Sequence, residues 1–170
     1  SLSAPAQLRL VAGDLVHLPR PSEAPTAMKY PRGRLLLIAG SDRYRGAAHL
    51  TLKGAMASGA GSVEACLPVA VAEHLWRAAP EVVLRSALPA DANGALDWGP
   101  ALLHSDLTRL DAVLIGPGLG RVENRWQRWA EPLLEFRGLL VLDADALNQL
   151  AASELGWRWL LQRSGPTWIT

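Results

Sequence analysis

From Arg34 onward, short runs built only from apolar residues alternate with longer stretches patterned like helices, and nothing else restricts the fold as much. Leu35-Leu36-Leu37-Ile38-Ala39 carries no polar residue on either side of its alternation, as expected of a strand covered on both faces. It ends at Gly40. A helix is predicted over about Ala47 to Ser58, closed by Gly59 and Gly61, which suit a left-handed C-terminal turn. A strand follows at Ser62 to Leu67, then a helix over Val69 to Ala78 with Pro68 at its start and Pro80 beyond its end. A short strand lies near Val82 to Ser86, and Asp91 to Gly99 reads as a turn-rich loop. The clearest strands are Ala112 to Ile115 and Leu139 to Leu142. Between them a helix spans about Asn124 to Phe136, with Trp126, Trp129 and Leu133 at helical spacing. A last helix at Leu155 to Gln162 leads to Thr167-Trp168-Ile169, the start of a further strand. Strands alternating with helices in this way build βαβ units and hence an α/β fold with a mostly parallel sheet.

Residues 1 to 33 break any such periodicity with Pro19, Pro21, Pro25 and Pro31, and are expected to be a lead-in or interdomain linker ahead of a folded unit at 34 to 170. With 49% apolar residues, 170 residues supply one hydrophobic core and leave little for a second. The net charge is +1 and the basic residues are scattered, so neither nucleic acid nor an anionic membrane is expected as partner; a small molecule is. Cys66 is the single cysteine, which excludes an intrachain disulfide and a thiolate metal site and fits a reducing cytoplasm. No apolar stretch approaches the roughly 20 residues of a membrane helix, and no basic-then-apolar leader opens the sequence. His17, His49, His74 and His104 show no metal-ligand spacing. The tryptophans, Trp126, Trp129, Trp157 and Trp159 among them, are assigned to core or oligomer contacts, and a homo-oligomer is expected. No G-x-S-x-G elbow points to a hydrolase.

Three segments sit at predicted carboxyl ends of strands, the edge where open parallel sheets bind ligands. In Gly40 to Ala48, Gly46 and Ala47 are small enough to let a phosphate or ribose approach a helix N-terminus, where free N–H groups and the helix dipole favour anions. Five residues separate Gly40 from Gly46 and no Lys-Ser/Thr pair follows, so this is not a Walker A loop. The same two glycines would equally serve a tight strand-to-helix turn. Gly116-Pro117-Gly118-Leu119-Gly120 resembles a dinucleotide fingerprint, yet Arg121 stands where the third glycine belongs and Pro117 removes an N–H. Asp143-Ala144-Asp145-Ala146-Leu147-Asn148 places two carboxylates where a strand gives way to a helix. They could position Mg2+ beside phosphates, or Asp145 could act only as a helix N-cap.

Four stretches, in this order and at these separations, resemble the ADP/ATP-dependent NAD(P)H-hydrate dehydratases. They are Leu35 to Gly61 (LLLIAGSDRYRGAAHLTLKGAMASGAG), Pro80-Glu81-Val82, Asp111 to Gly120 (DAVLIGPGLG) and Val141 to Asn148 (VLDADALN), so the likeness covers residues 30 to 170. The resemblance implies a three-layer ribokinase-like α/β sandwich, here incomplete. It also implies a cytoplasmic lyase in which ATP or ADP, with Mg2+, phosphorylates the hydroxyl of the (S)-hydrate of NADH or NADPH, and loss of phosphate restores the cofactor. Carried onto this chain, Tyr44, Gly46, Ala47, Gly116, Gly118 and Gly120 are the substrate-binding candidates, and Asp143, Asp145 and Asn148 the nucleotide- or Mg-associated ones.

Members of that family continue past the position of Thr170 into P-H-P-G-E and G-T-G-D segments. The resemblance therefore implies that the catalytic base lies beyond Thr170 and that these 170 residues are inactive alone, and it assigns no catalytic residue among them. It also allows an epimerase domain fused upstream of Ser1. Where the family often has His-Lys before the first strand, this chain has Met28-Lys29. A ribokinase-like kinase of a vitamin or thiazole alcohol and a non-catalytic dinucleotide-binding module remain the alternatives.

Overall fold

The computed structural model describes residues 32–99, 102, 106–121 and 126–170, so most of the 1 to 33 lead-in, His17, His104, Asn124 and Arg125 lie outside the described residues. Six strands form one sheet, all parallel: β1 (Arg34–Ile38), β2 (Ser62–Pro68), β3 (Val83–Leu88), β4 (Ala112–Ile115), β5 (Leu139–Leu142) and β6 (Thr167–Ile169). Their spatial order is β3-β2-β1-β4-β5-β6. The chain first winds outward through β2 and β3, then returns to the other side of β1 with β4. This is the doubly wound arrangement, with its switch point between β1 and β4.

Each strand's alternation feeds two hydrophobic layers. From β1, Leu36 and Ile38 join Val113, Ile115, Leu140 and Leu142 on one face. Leu37 and Ala39 join Val63, Ala65 and Leu67 on the other. Helix α1 (Arg45–Ala57) lays Ala48, Leu52 and Ala55 on the second face, beside the short helices α2 (Val69–Ala72) and α3 (Leu75–Ala78). The first face is covered by α4 (Gln127–Leu134), α5 (Ala144–Ala151) and α6 (Glu154–Gln162). Sheet between two helix layers is the predicted three-layer α/β architecture.

Four tryptophans, Trp98, Trp126, Trp129 and Trp159, form the interior of the first layer. Trp129 stacks at 4.9 Å on Trp98 and meets Trp159 edge-on at 5.5 Å. Its indole N–H donates to Gln149 Oε1 at 3.0 Å, and that of Trp159 to the Ala130 carbonyl at 3.0 Å, so both of these buried indoles are paired. Trp157, by contrast, is exposed.

One predicted helix is two. Val69 to Ala78 breaks at Glu73-His74, where His74 N–H and Arg77 N–H bond three residues back, to the Val71 and His74 carbonyls. Ala72, Leu75 and Ala79 keep helical spacing across the break, which hides it from periodicity. The predicted helix at 124 to 136 is helical over Gln127–Leu134 within the described residues, and β3 starts one residue later than predicted and runs to Leu88.

Candidate functional site

All three strand-end segments meet at the switch point. Gly40, one residue past the Ala39 that follows β1, donates its N–H to the Pro117 carbonyl at 2.8 Å, stitching the first loop to the glycine loop after β4. A Cβ on Gly118 would fall 2.5 Å from Ala47 Cβ and 2.9 Å from Tyr44 Cβ, so this loop lies directly against the start of α1. Only glycine permits that approach, since Gly118 also has φ +66°. Gly46 is exposed with open space above it, and Ala47 is half-buried. Tyr44 is exposed at 49% and its N–H donates to both the carbonyl and Oγ of the fully buried Ser41.

The N–H groups of the glycine loop are mostly used inside the protein. Gly116 donates to the Ile38 carbonyl, Leu119 to that of Gly116, and Gly120 to Asp145 Oδ2 at 2.9 Å. The Gly118 N–H has no acceptor among the described residues, and neither has that of Gly46 in the first turn of α1. Backbone donors without an acceptor among the described residues thus lie on both adjoining elements, the helix N-terminus and the apposed loop. Their arrangement suits an anionic or carbonyl oxygen.

The acidic segment closes the far side. Asp143 is the residue before α5, in extended conformation and with no capping bond from its side chain. Asp145 therefore is not the N-cap. It lies in the first turn, with Oδ2 on Gly120 and Oδ1 accepting from Asn148 Nδ2 at 3.3 Å. Between the two, Ala144 takes φ +44°, a left-handed conformation that costs a residue with a Cβ about 1–2 kcal/mol. Asn148 is exposed, one turn along α5. Among the described residues no group of three or more His, Cys, Asp or Glu side chains converges as a metal site. Cys66 is fully buried, and that burial pushes its thiol up to about 11.

A further wall of the site carries no signal of its role in the sequence. The turn at Asp91 to Leu96 folds over the sheet edge: the Gly94 carbonyl accepts from Asp42 N–H at 3.1 Å, and Leu96 N–H donates to the Leu119 carbonyl at 2.9 Å. Asp91 Oδ1 holds the turn by accepting from the amides of Asn93 and Ala95. Its Asp-x-Asn-Gly signature marks a turn, but no local signal tells where a turn will dock.

The loops place the glycine motif after β4, whereas a dinucleotide fingerprint follows the first strand of its unit. Fold and site together define a doubly wound α/β protein whose three strand-end segments meet at the β1/β4 switch point. The same fold is found in a ribokinase-like superfamily protein of Enterococcus faecalis, with TM-score 0.59 and 24% identity over 78% of this chain and 43% of that one. A family profile described as NAD(P)H-hydrate dehydratase matches residues 35–170, and the chain belongs to that family. It is 41% identical over 164 residues to the bifunctional NAD(P)H-hydrate repair enzyme Nnr of Gloeobacter violaceus, which covers 95% of this chain and 30% of the relative. It is also similar to the ADP/ATP-dependent NAD(P)H-hydrate dehydratase of Bacillus subtilis co-crystallised with ATP/Mg2+. There the TM-score is 0.64 at 28% identity, over 89% of this chain and 48% of that one. The chain thus spans well under two thirds of the length of each of these proteins.

Proposed function

We propose that the protein carrying this chain restores the (S)-hydrate of NADH or NADPH to the intact cofactor, a metabolite-repair lyase reaction with ATP or ADP as co-substrate. The observation that carries this reading is the close apposition of the glycine loop to the start of α1 in a chain of this family, with Gly46 N–H and Gly118 N–H lacking an acceptor among the described residues. In the reaction the hydrate's hydroxyl accepts a phosphoryl group, then phosphate and a neighbouring ring proton depart and the ring double bond returns. Donors fixed before the ligand arrives stabilise oxygen charge without reorganisation.

Tyr44, Gly46, Ala47 and the loop from Gly116 to Gly120 would flank the substrate. Asp143 and Asn148 lie on the nucleotide side, with Mg2+ arriving on the nucleotide phosphates. The unit from 34 to 170 would form the first part of the catalytic domain, preceded by a linker. That the Gloeobacter relative is a bifunctional repair enzyme supports an epimerase domain fused upstream. A cytoplasmic homo-oligomer is the setting we propose. Among the described residues no helix is long and apolar enough to cross a membrane.

The test supplies hydrated NADPH, ATP or ADP and saturating Mg2+ to the full protein and follows NADPH absorbance. Recovery of absorbance is expected. No recovery overturns the reading, and a stable phosphorylated hydrate without elimination would instead make the protein a small-molecule kinase of the same fold.

A further inference from the structure

We infer that Asp145 is a positioning residue: through its bond to Gly120 it holds the glycine loop so that the Gly118 N–H points at the substrate. This rests on the reading that the loop takes the hydrated nicotinamide ligand. The loop is soft by composition, since Gly116, Gly118 and Gly120 all sit at positive φ and carry no side chain to pack. Its N-terminal half is fastened by backbone bonds, Gly116 N–H to Ile38 and Gly40 N–H to the Pro117 carbonyl. At its far end the Gly120 N–H is held by a side chain 25 residues away, Oδ2 of Asp145 at 2.9 Å. Gly118 lies between these two fastenings, and its N–H has no acceptor among the described residues.

A bond to an ionised carboxylate is shorter and stronger than one between neutral groups, which suits a tether working beside the bond from Leu96 N–H to the Leu119 carbonyl. The backbone at Ala144 departs from helical geometry immediately before Asp145, at φ +44°, and this departure lies where the carboxylate turns toward the loop. Asn148 Nδ2, on Oδ1 at 3.3 Å, braces the same carboxylate from the next turn of α5. Both oxygens are therefore engaged within the protein. Of the two acidic side chains here, Asp143 is the one left for the nucleotide's counter-ion, and Asp145 acts on the ligand only through Gly118.

The experiment compares the full wild-type protein with Asp145→Ala and Asp145→Asn in two measurements. NADPH binding is titrated directly, and the KM values for hydrated NADPH and for Mg-nucleotide are determined separately. Loss of the tether in Asp145→Ala is expected to weaken NADPH binding and raise the hydrate KM by about 10-fold, the scale at which a loop displaced by a fraction of an ångström costs alignment. The nucleotide KM should stay within about 2-fold. Asparagine still offers an oxygen to Gly120 N–H, so Asp145→Asn should return both values to within about 3-fold of wild type. Three outcomes would overturn the assignment. In the first, both variants shift the Mg2+ or nucleotide dependence, as a metal ligand would. In the second, neither changes NADPH binding while thermal stability falls, as a purely structural contact would. In the third, asparagine rescues nothing although the variant is folded. If the wild type itself lacks dehydratase activity, the proposed reaction fails while the NADPH titration still decides the role of Asp145.

Discussion

At Gly116 the backbone leaves no room for any side chain: a Cβ there would lie 1.7 Å from the Asp143 carbonyl oxygen, and φ is +138°. Gly116→Ala would force the ends of β4 and β5 apart, and we expect it to destabilise the protein by about 3 kcal/mol or more, overpacking and backbone strain acting together. Urea unfolding measures this, and a loss below about 1 kcal/mol would show that the edge can relax. The sequence exposed this residue as part of a glycine motif. What it could not express is that the glycine answers to Asp143, 27 positions later, because the clash exists only once β4 and β5 are paired. Asp145 is the same case: its spacing from Asp143 is what a Mg2+ site or a cap would show, and its partner, Gly120, is set by the fold.

Among the elements, β6 depends on a side chain more than on its own hydrophobicity. It is an edge strand of three residues, with Trp168 and Ile169 exposed. Arg163, just beyond α6, reaches beneath it and donates to the carbonyls of Leu133 and Gly138 and to Thr167 Oγ1, with its guanidinium 5.9 Å from the Phe136 ring centre. Burial lowers its pKa from the usual arginine value, but the group remains charged. Arg163→Ala would leave half-buried carbonyls without donors. A loss of about 2–3 kcal/mol is expected, with faster amide exchange at Thr167 to Thr170. Unchanged exchange there would assign the holding of β6 to its ladder with β5 instead. Apolar runs mark the central strands β1, β4 and β5, since burial on both faces of a parallel sheet writes itself as near-continuous hydrophobicity, while β6 is placed to the residue although it is exposed. The break between α2 and α3 and the docking of Arg163 leave no such trace, for neither changes the pattern of buried positions.

For the whole molecule, β1 contributes to both hydrophobic layers, as β2 does through Cys66 on one side and Val63, Ala65 and Leu67 on the other, and all the buried tryptophans lie in one layer. Leu37 faces the other side, fully buried among residues of α1 and β2. If the sheet couples the layers into one cooperative unit, Leu37→Ala should lower stability by about 2–5 kcal/mol. Tryptophan fluorescence and circular dichroism should then move together, although no buried tryptophan lies in the altered layer. Separate midpoints would mean that the layers unfold independently.

The order of strands and helices, the α/β class, the three strand-end segments and the family were all written in the chain, because each rests on local periodicity or on contiguous motifs. Tertiary structure alone decided that those segments converge at the β1/β4 switch point, that the Asp91 to Leu96 turn walls them in, and that the glycine loop's amides are mostly spent on partners such as Asp145. The physical reason is that parallel strands join residues far apart in sequence. β1 pairs with β4 across more than 70 positions, and a hydrogen bond made over such a distance imposes no pattern on either residue's neighbours.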